Sequence, residues 1–181
     1  MTLEPGLQAT FRYTVAEADT AAATGSGEVP VLATPRALAL AEQATVAAVA
    51  GEIEAGATTV GTRVELEHLA PSVVGAELEI AAVLERVAGR RLEFAVRVRD
   101  GGRLVARGMV TRVVVDTAAF LRDAGAAAPG ERAAGGGRAG QIPGLGCRSD
   151  VRRTRSMPQW AWSITSPGVG GGTRFPLAFA G

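Results

Sequence analysis

Few side chains in this sequence have the chemistry of a catalyst, and they lie far apart along it. Glu42 is a lone carboxylate in the middle of an aliphatic run, "TPRALALAEQATVAAVAG" at residues 34–51. At helical spacing its stripe is Leu38, Ala39, Thr45, Val46 and Val49. A carboxylate there either turns to solvent unpaired or, if buried, needs a raised pKa or a dedicated partner. In the second setting it is suited to act as a base or nucleophile. His68 is the only histidine. It stands two residues beyond Leu66 and shortly before Pro71, at a strand end beside a sheet edge or pocket mouth. Such an imidazole is either a satisfied structural residue or a proton carrier. Thr34 precedes Pro35, the pattern of an N-cap and first helical residue, so its hydroxyl has a structural duty worth about 1 kcal/mol. Gly61, inside a strand-like run, implies a bulge or a close backbone approach. Arg112 interrupts "GMVTRVVVD" and is either an outward strand charge or an anion contact.

The elements that must position these residues are legible from periodicity. Residues 7–15, "LQATFRYTV", read as a strand, and 16–33, with "TGSGEVP", as a loop. A helix starts at Thr34 and ends at Gly51 or Gly56. The alternation of "TTVGTRVELEHL" (58–69) places Val60, Thr62, Val64, Leu66 and His68 on one face of a second strand. Residues 75–116 read as three more strands, with a turn at Gly89 and an Asp-Gly hairpin in "RDGG". The pattern predicts an α+β fold: one strand, one apolar helix and four strands in an antiparallel meander. A helix that is apolar nearly all round requires a curved antiparallel sheet of about five strands to wrap it.

The chain has 181 residues, 47% of them hydrophobic, enough for one domain with a real core. The expected domain is 1–122. Residues 123–181, with "GAAAPGERAAGGGRAGQIPGLG", read as a low-complexity, disordered Gly/Ala/Arg/Pro-rich tail. All 19 basic residues are arginine; 7 lie from residue 123 onward against 3 acids, leaving 12 against 15 in the front part. That mildly acidic front gives no electrostatic basis for nucleic-acid binding. Arginines and tryptophans in "VRRTRSMPQWAW" (151–162) would suit an interaction tail, but the Gly/Pro density reads rather as a flexible extension. One cysteine, Cys147, excludes an internal disulfide and a multi-cysteine zinc site, so no metal is expected. The N-terminus lacks a secretory pattern and the apolar run 37–50 is too short to span a bilayer. The expectation is a cytoplasmic protein with no membrane partner.

Taken together, a strand, a helix carrying an acid, and a strand ending in "ELEHLAPSVVGAELEI" resemble the fluoroacetyl-CoA thioesterase-like family of hotdog-fold thioesterases. In that family a Thr at the helix start, a Glu eight residues on and a His at the end of the next strand form the catalytic set. Thr34, Glu42 and His68 stand at those spacings. The family's strand glycine matches Gly61 in "TVGTRVELEH", and its last-strand arginine matches Arg112. The resemblance covers roughly residues 6–122. It implies a hotdog fold, hydrolysis of a small or medium acyl-CoA to free acid and CoA, and a homodimer with sites at the interface. It further implies Thr34, Glu42 and His68 as catalytic, Gly61 and Arg112 as substrate-binding, and no cofactor beyond the CoA of the substrate. The loop before Thr34, "TGSGEVPVLA", departs from the family in lacking bulky aromatics to wall off a small acyl pocket. Two alternatives are a non-catalytic hotdog protein binding acyl groups or small molecules, and a hydratase. The hydratase pattern needs an Asp–His pair close in sequence, which is missing here.

Overall fold

The computed structural model describes residues 3–125 and 152–154. The chain enters as β1 (Gln8–Thr14), passes a 3-10 turn at Glu17–Asp19 and a short helix α1 (Ala21–Thr24), then forms the long helix α2 (Thr34–Ala48). Four strands follow: β2 (Ala57–His68), β3 (Glu77–Ala88), β4 (Arg91–Asp100) and β5 (Arg103–Asp116). Helix α3 (Thr117–Asp123) and a three-residue strand β6 (Arg152–Thr154) complete the described elements. The sheet is antiparallel, in the order β2-β5-β4-β3-β1-β6, and curves round α2 as a hotdog fold.

Small residues let the sheet come close to the helix. Ala37, Leu40, Ala41, Ala44 and Ala48 of α2 are buried against Phe11, Ile80, Leu84, Phe94, Val96 and Val110. Burying Leu40 alone stabilises the fold by about 2 kcal/mol. A larger side chain at Ala41 or Ala44, both fully buried, would push the helix off the sheet.

Three sequence-based expectations change. The meander holds only for β3, β4 and β5, whose two-residue loops carry positive φ at Gly89 and Gly101. β2 does not continue it: residues 69–76 carry the chain from the His68 end of β2 past β5 and β4 to β3, and β2 pairs with β5. The single apolar face expected for β2 is split by a bulge between Gly61 and Arg63. Thr59 and Gly61 face inward before it, Val64 and Leu66 after it, so Val60 and Thr62 drop out of the set. The 16–33 loop holds structure of its own, tied to the fold by bridges Thr20–Leu32 and Val31–Val73. α2 begins at Thr34 as expected and ends at Ala48, with Gly51 at φ +82° in the turn after it. Of the segment read as a tail, Arg152–Thr154 pair with β1, and Arg153 Nη1 donates to Ala50 O at 2.6 Å beyond the end of α2. Asp123, Ala124 and Gly125 are described at and after the end of α3; the rest of that segment, including "GAAAPGERAAGGGRAGQIPGLG" beyond its first residue, lies outside the described residues.

Candidate active site

β2 ends at His68 because Pro71 follows and the chain must leave the sheet; Leu69 N–H and Ala70 N–H both turn to Val105 O. That fixes the imidazole above the start of α2. Thr34 was expected to cap this helix, but Ala33 holds the N-cap position with no side-chain hydrogen bond, and Thr34 is the first helical residue. Its hydroxyl is therefore released from capping and lies 2.9 Å from His68 Nδ1. His68 Nε2 is buried with no hydrogen-bond partner among the described residues. Burial pushes the imidazole below its ordinary pKa, against a smaller opposing pull from the Ala70 backbone. At neutral pH the ring is uncharged, with one nitrogen held by Thr34 and the other unengaged. A cleft of about 410 Å³ opens beside this pair, between the 26–32 loop and residues 69–71.

The start of α2 is held in place by a cluster that periodicity does not signal. Asp19 is buried, and its carboxylate accepts from Tyr13 Oη at 2.7 Å, Ala16 N–H at 2.8 Å and Arg36 Nε at 2.6 Å. Burial alone would raise the Asp19 pKa, but those three donors together hold it below the ordinary value. The Arg36 guanidinium stacks 4.8 Å from the Tyr13 ring centroid. Because Asp19 O also accepts from Ala33 N–H, one residue joins β1, the 16–33 segment and the helix turn that carries Thr34.

Glu42 belongs to a second cluster. It is 33% exposed on α2, while its neighbour Gln43 faces solvent. Of the alternatives for a carboxylate there, the dedicated partner is what the fold supplies: Arg112 Nη1 reaches Glu42 Oε1 at 3.2 Å. Arg112 points inward from β5 and is only 6% exposed. Its Nε donates to Thr59 Oγ1 at 2.9 Å and its Nη2 to Thr59 O at 2.8 Å, so the guanidinium is fixed before it meets the acid. Burial pulls the Arg112 pKa down and Glu42 opposes this, and a guanidinium remains charged either way. Gly61 explains why this corner of β2 carries no side chain: a Cβ there would collide with Glu42 Oε1 and come within 3.8 Å of Arg112 Nη1. Both meanings expected of that glycine, the bulge and the close approach, are realised, although the approaching group is a side chain.

Thr34 thus meets His68, and Glu42 meets Arg112 and Gly61, but the single chain does not bring the two groups together. Thr34 and Glu42 are eight residues apart on one helix, about 12 Å at 1.5 Å per residue. Gly61, inside β2, and His68, its last residue, lie about 20 Å apart at strand rise. Among the described residues no group of three or more His, Cys, Asp or Glu could hold a metal ion, and no helix is long and apolar enough to cross a membrane.

A curved antiparallel sheet round one central helix, with an acid and an imidazole on adjoining elements, defines the hotdog-fold thioesterase class. The chain belongs to the family described as "FlK: Fluoroacetyl-CoA-specific thioesterase", whose model matches residues 15–118, more than half of its length. Among solved structures, that of the fluoroacetyl-CoA thioesterase FlK is 28% identical with a TM-score of 0.64, covering 68% of this chain and 96% of that one. A hot-dog-like protein from Thermanaerovibrio acidaminovorans is 26% identical with a TM-score of 0.63, covering 67% and 90%. A thioesterase superfamily member from Thermus thermophilus is 26% identical with a TM-score of 0.63, covering 68% and 94%. No curated protein matches.

Proposed function

We propose that this chain is an acyl-CoA thioesterase whose site is completed by a second copy of itself. The observation that carries the reading is Gly61, a strand position emptied of its side chain where the Glu42 carboxylate lies against β2, with Arg112 holding that carboxylate. β2 is an edge strand, with no neighbour beyond it among the described residues. Antiparallel pairing of β2 with a second copy's β2, about a two-fold axis at Glu65 and with the 61/63 bulge taking up one residue, sets His68 beside the second copy's Gly61 and hence its Glu42. Two half-sites on one chain become two whole sites in a pair.

In such a site Glu42 acts in one of two ways. As a base it takes a proton from water while the hydroxyl oxygen attacks the thioester carbon. As a nucleophile it attacks that carbon itself, giving a mixed anhydride that water then opens. In both routes the C–S bond breaks, CoA leaves as a thiolate, and the acid and a proton are released. A thiolate is a good leaving group, so no strong general acid is required. His68, neutral and held through Nδ1 by Thr34, orients water and moves the proton. Peptide N–H groups near Gly61 or at the start of α2 supply the carbonyl oxyanion with donors. Arg112, engaged with Thr59 and Glu42, positions the acid, and its contact with the acyl or CoA polar groups is made from that fixed orientation.

Subunit mixing tests both the chemistry and the sharing of the site. Glu42→Gln and His68→Ala should each lower thiol release from acyl-CoA at least 100-fold. Mixed after unfolding and refolding, the two variants should regain about a quarter of the parent activity, because half of the pairs are hybrids and each hybrid carries one intact site. Parent rates in both single variants would remove the assignment. Acyl-CoA binding without thiol release in the parent would make the chain a binding protein instead.

A further inference from the structure

Resting on that reading, the cleft beside Thr34 and His68 gives the class of acyl group. It is about 410 Å³ in volume. A methylene and a water molecule are similar in size, about 30 Å³ each, so an acetyl group would fill less than a quarter of it. The walls are aliphatic: Ala21, Val29, Val31, Leu32, Leu69 and Pro71. Its polar side chains are Ser26, Thr34 and His68, with the last two joined at the point where a thioester carbonyl would sit. No Phe, Tyr or Trp stands among the described lining residues, and Gly27 keeps the loop side thin: a Cβ there would already approach Ala21 Cβ at 3.3 Å. Val29 and Leu69 are 55% and 50% exposed at the rim, apolar surface that a ligand chain would cover.

We propose that the substrate is the CoA thioester of a saturated aliphatic acid of about four to eight carbons, its chain lying between the 26–32 loop and residues 69–71. A two-carbon acyl group leaves most of those walls wet, whereas each added methylene that reaches them strengthens binding about fourfold. The chain enters tail-first past Val29 and Leu69, and its carbonyl stops at the Thr34–His68 pair.

The test is a kinetic series over acetyl-, fluoroacetyl-, butanoyl-, hexanoyl-, octanoyl- and benzoyl-CoA. kcat/KM should rise about 250-fold from acetyl to hexanoyl, four methylenes at about fourfold each, with fluoroacetyl and benzoyl well below hexanoyl. Val29→Trp, at an exposed rim position that does not disturb the core, should cut the hexanoyl-to-acetyl ratio at least tenfold. Equal or better turnover of acetyl- or fluoroacetyl-CoA, or a ratio that Val29→Trp leaves unchanged, overturns the aliphatic assignment while the hydrolase reading stands. If no thioester is hydrolysed, calorimetric binding of hexanoyl- against acetyl-CoA decides separately. Preference for the longer chain keeps the cleft assignment and removes the enzyme, and equal affinity removes both.

Discussion

Helix α2 carries two sites of contrasting character. At its first turn, Thr34 and His68 form a neutral pair on the lip of an open cleft, one imidazole nitrogen bonded and the other unengaged. Two turns further on, Glu42 meets a guanidinium that is almost wholly buried and already tied twice to Thr59. The first pair leaves one ring nitrogen unengaged beside an open cleft; the second anchors a guanidinium before it meets the carboxylate. The difference teaches that one helix can offer a loosely tied group at its start and a carboxylate held in one orientation at its middle, the orientation from which the proposed chemistry would use it.

Breaking the rigid cluster should have the largest effect. Arg112→Met leaves Thr59 O and Oγ1 and the Glu42 carboxylate without their donor, and should cost about 3 kcal/mol of stability. Thiol release should fall about 100-fold through loss of orientation. Denaturant melts and acyl-CoA kinetics measure the two; if melting is unchanged, Arg112 does not hold this corner together. Gly61→Ala tests the same cluster more gently. The added methyl displaces the Glu42 carboxylate, so kcat should drop about tenfold with a stability loss of about 1 kcal/mol. Wild-type kcat in this variant would show that the carboxylate has no fixed place. Thr34→Ala sharpens the other side of the comparison. Since Thr34 is not the N-cap, the variant should shift stability by less than about 0.5 kcal/mol, below the loss expected of a cap residue. It should still lower kcat about tenfold, with Thr34→Ser restoring most of it. A melting loss of the full capping size with unaltered kcat would return Thr34 to a structural duty.

The sequence made some of this readable and concealed the rest for definite reasons. Hairpins at Gly89 and Gly101 announce themselves because a two-residue loop needs positive φ. The placement of β2 next to β5 was hidden, because strand order depends on which edges meet across the whole sheet, although the long 69–76 link already argued against a hairpin. One extra residue at a bulge reverses the alternation after it, and Gly61 was its only visible mark. Glu42 was legible as an acid in need of a partner, yet that partner lies seventy residues later on a strand whose inward face no local pattern identifies. Thr34 was misassigned for a local reason: Thr-Pro suits a cap followed by a first helical residue, while here the helix starts one residue earlier, leaving proline second. Asp19 gave no signal at all, since its three donors come from β1, a turn and α2.

The short β6 has a consequence for assembly. It lies along Gln8–Thr10 on the outer side of β1, so among the described residues the two margins of the sheet differ: one ends in a three-residue strand and the other in the twelve-residue β2. A long edge strand offers a second copy a full row of unpaired N–H and C=O groups, whereas a three-residue strand offers too few to hold one, so recruitment through the sheet favours the β2 margin.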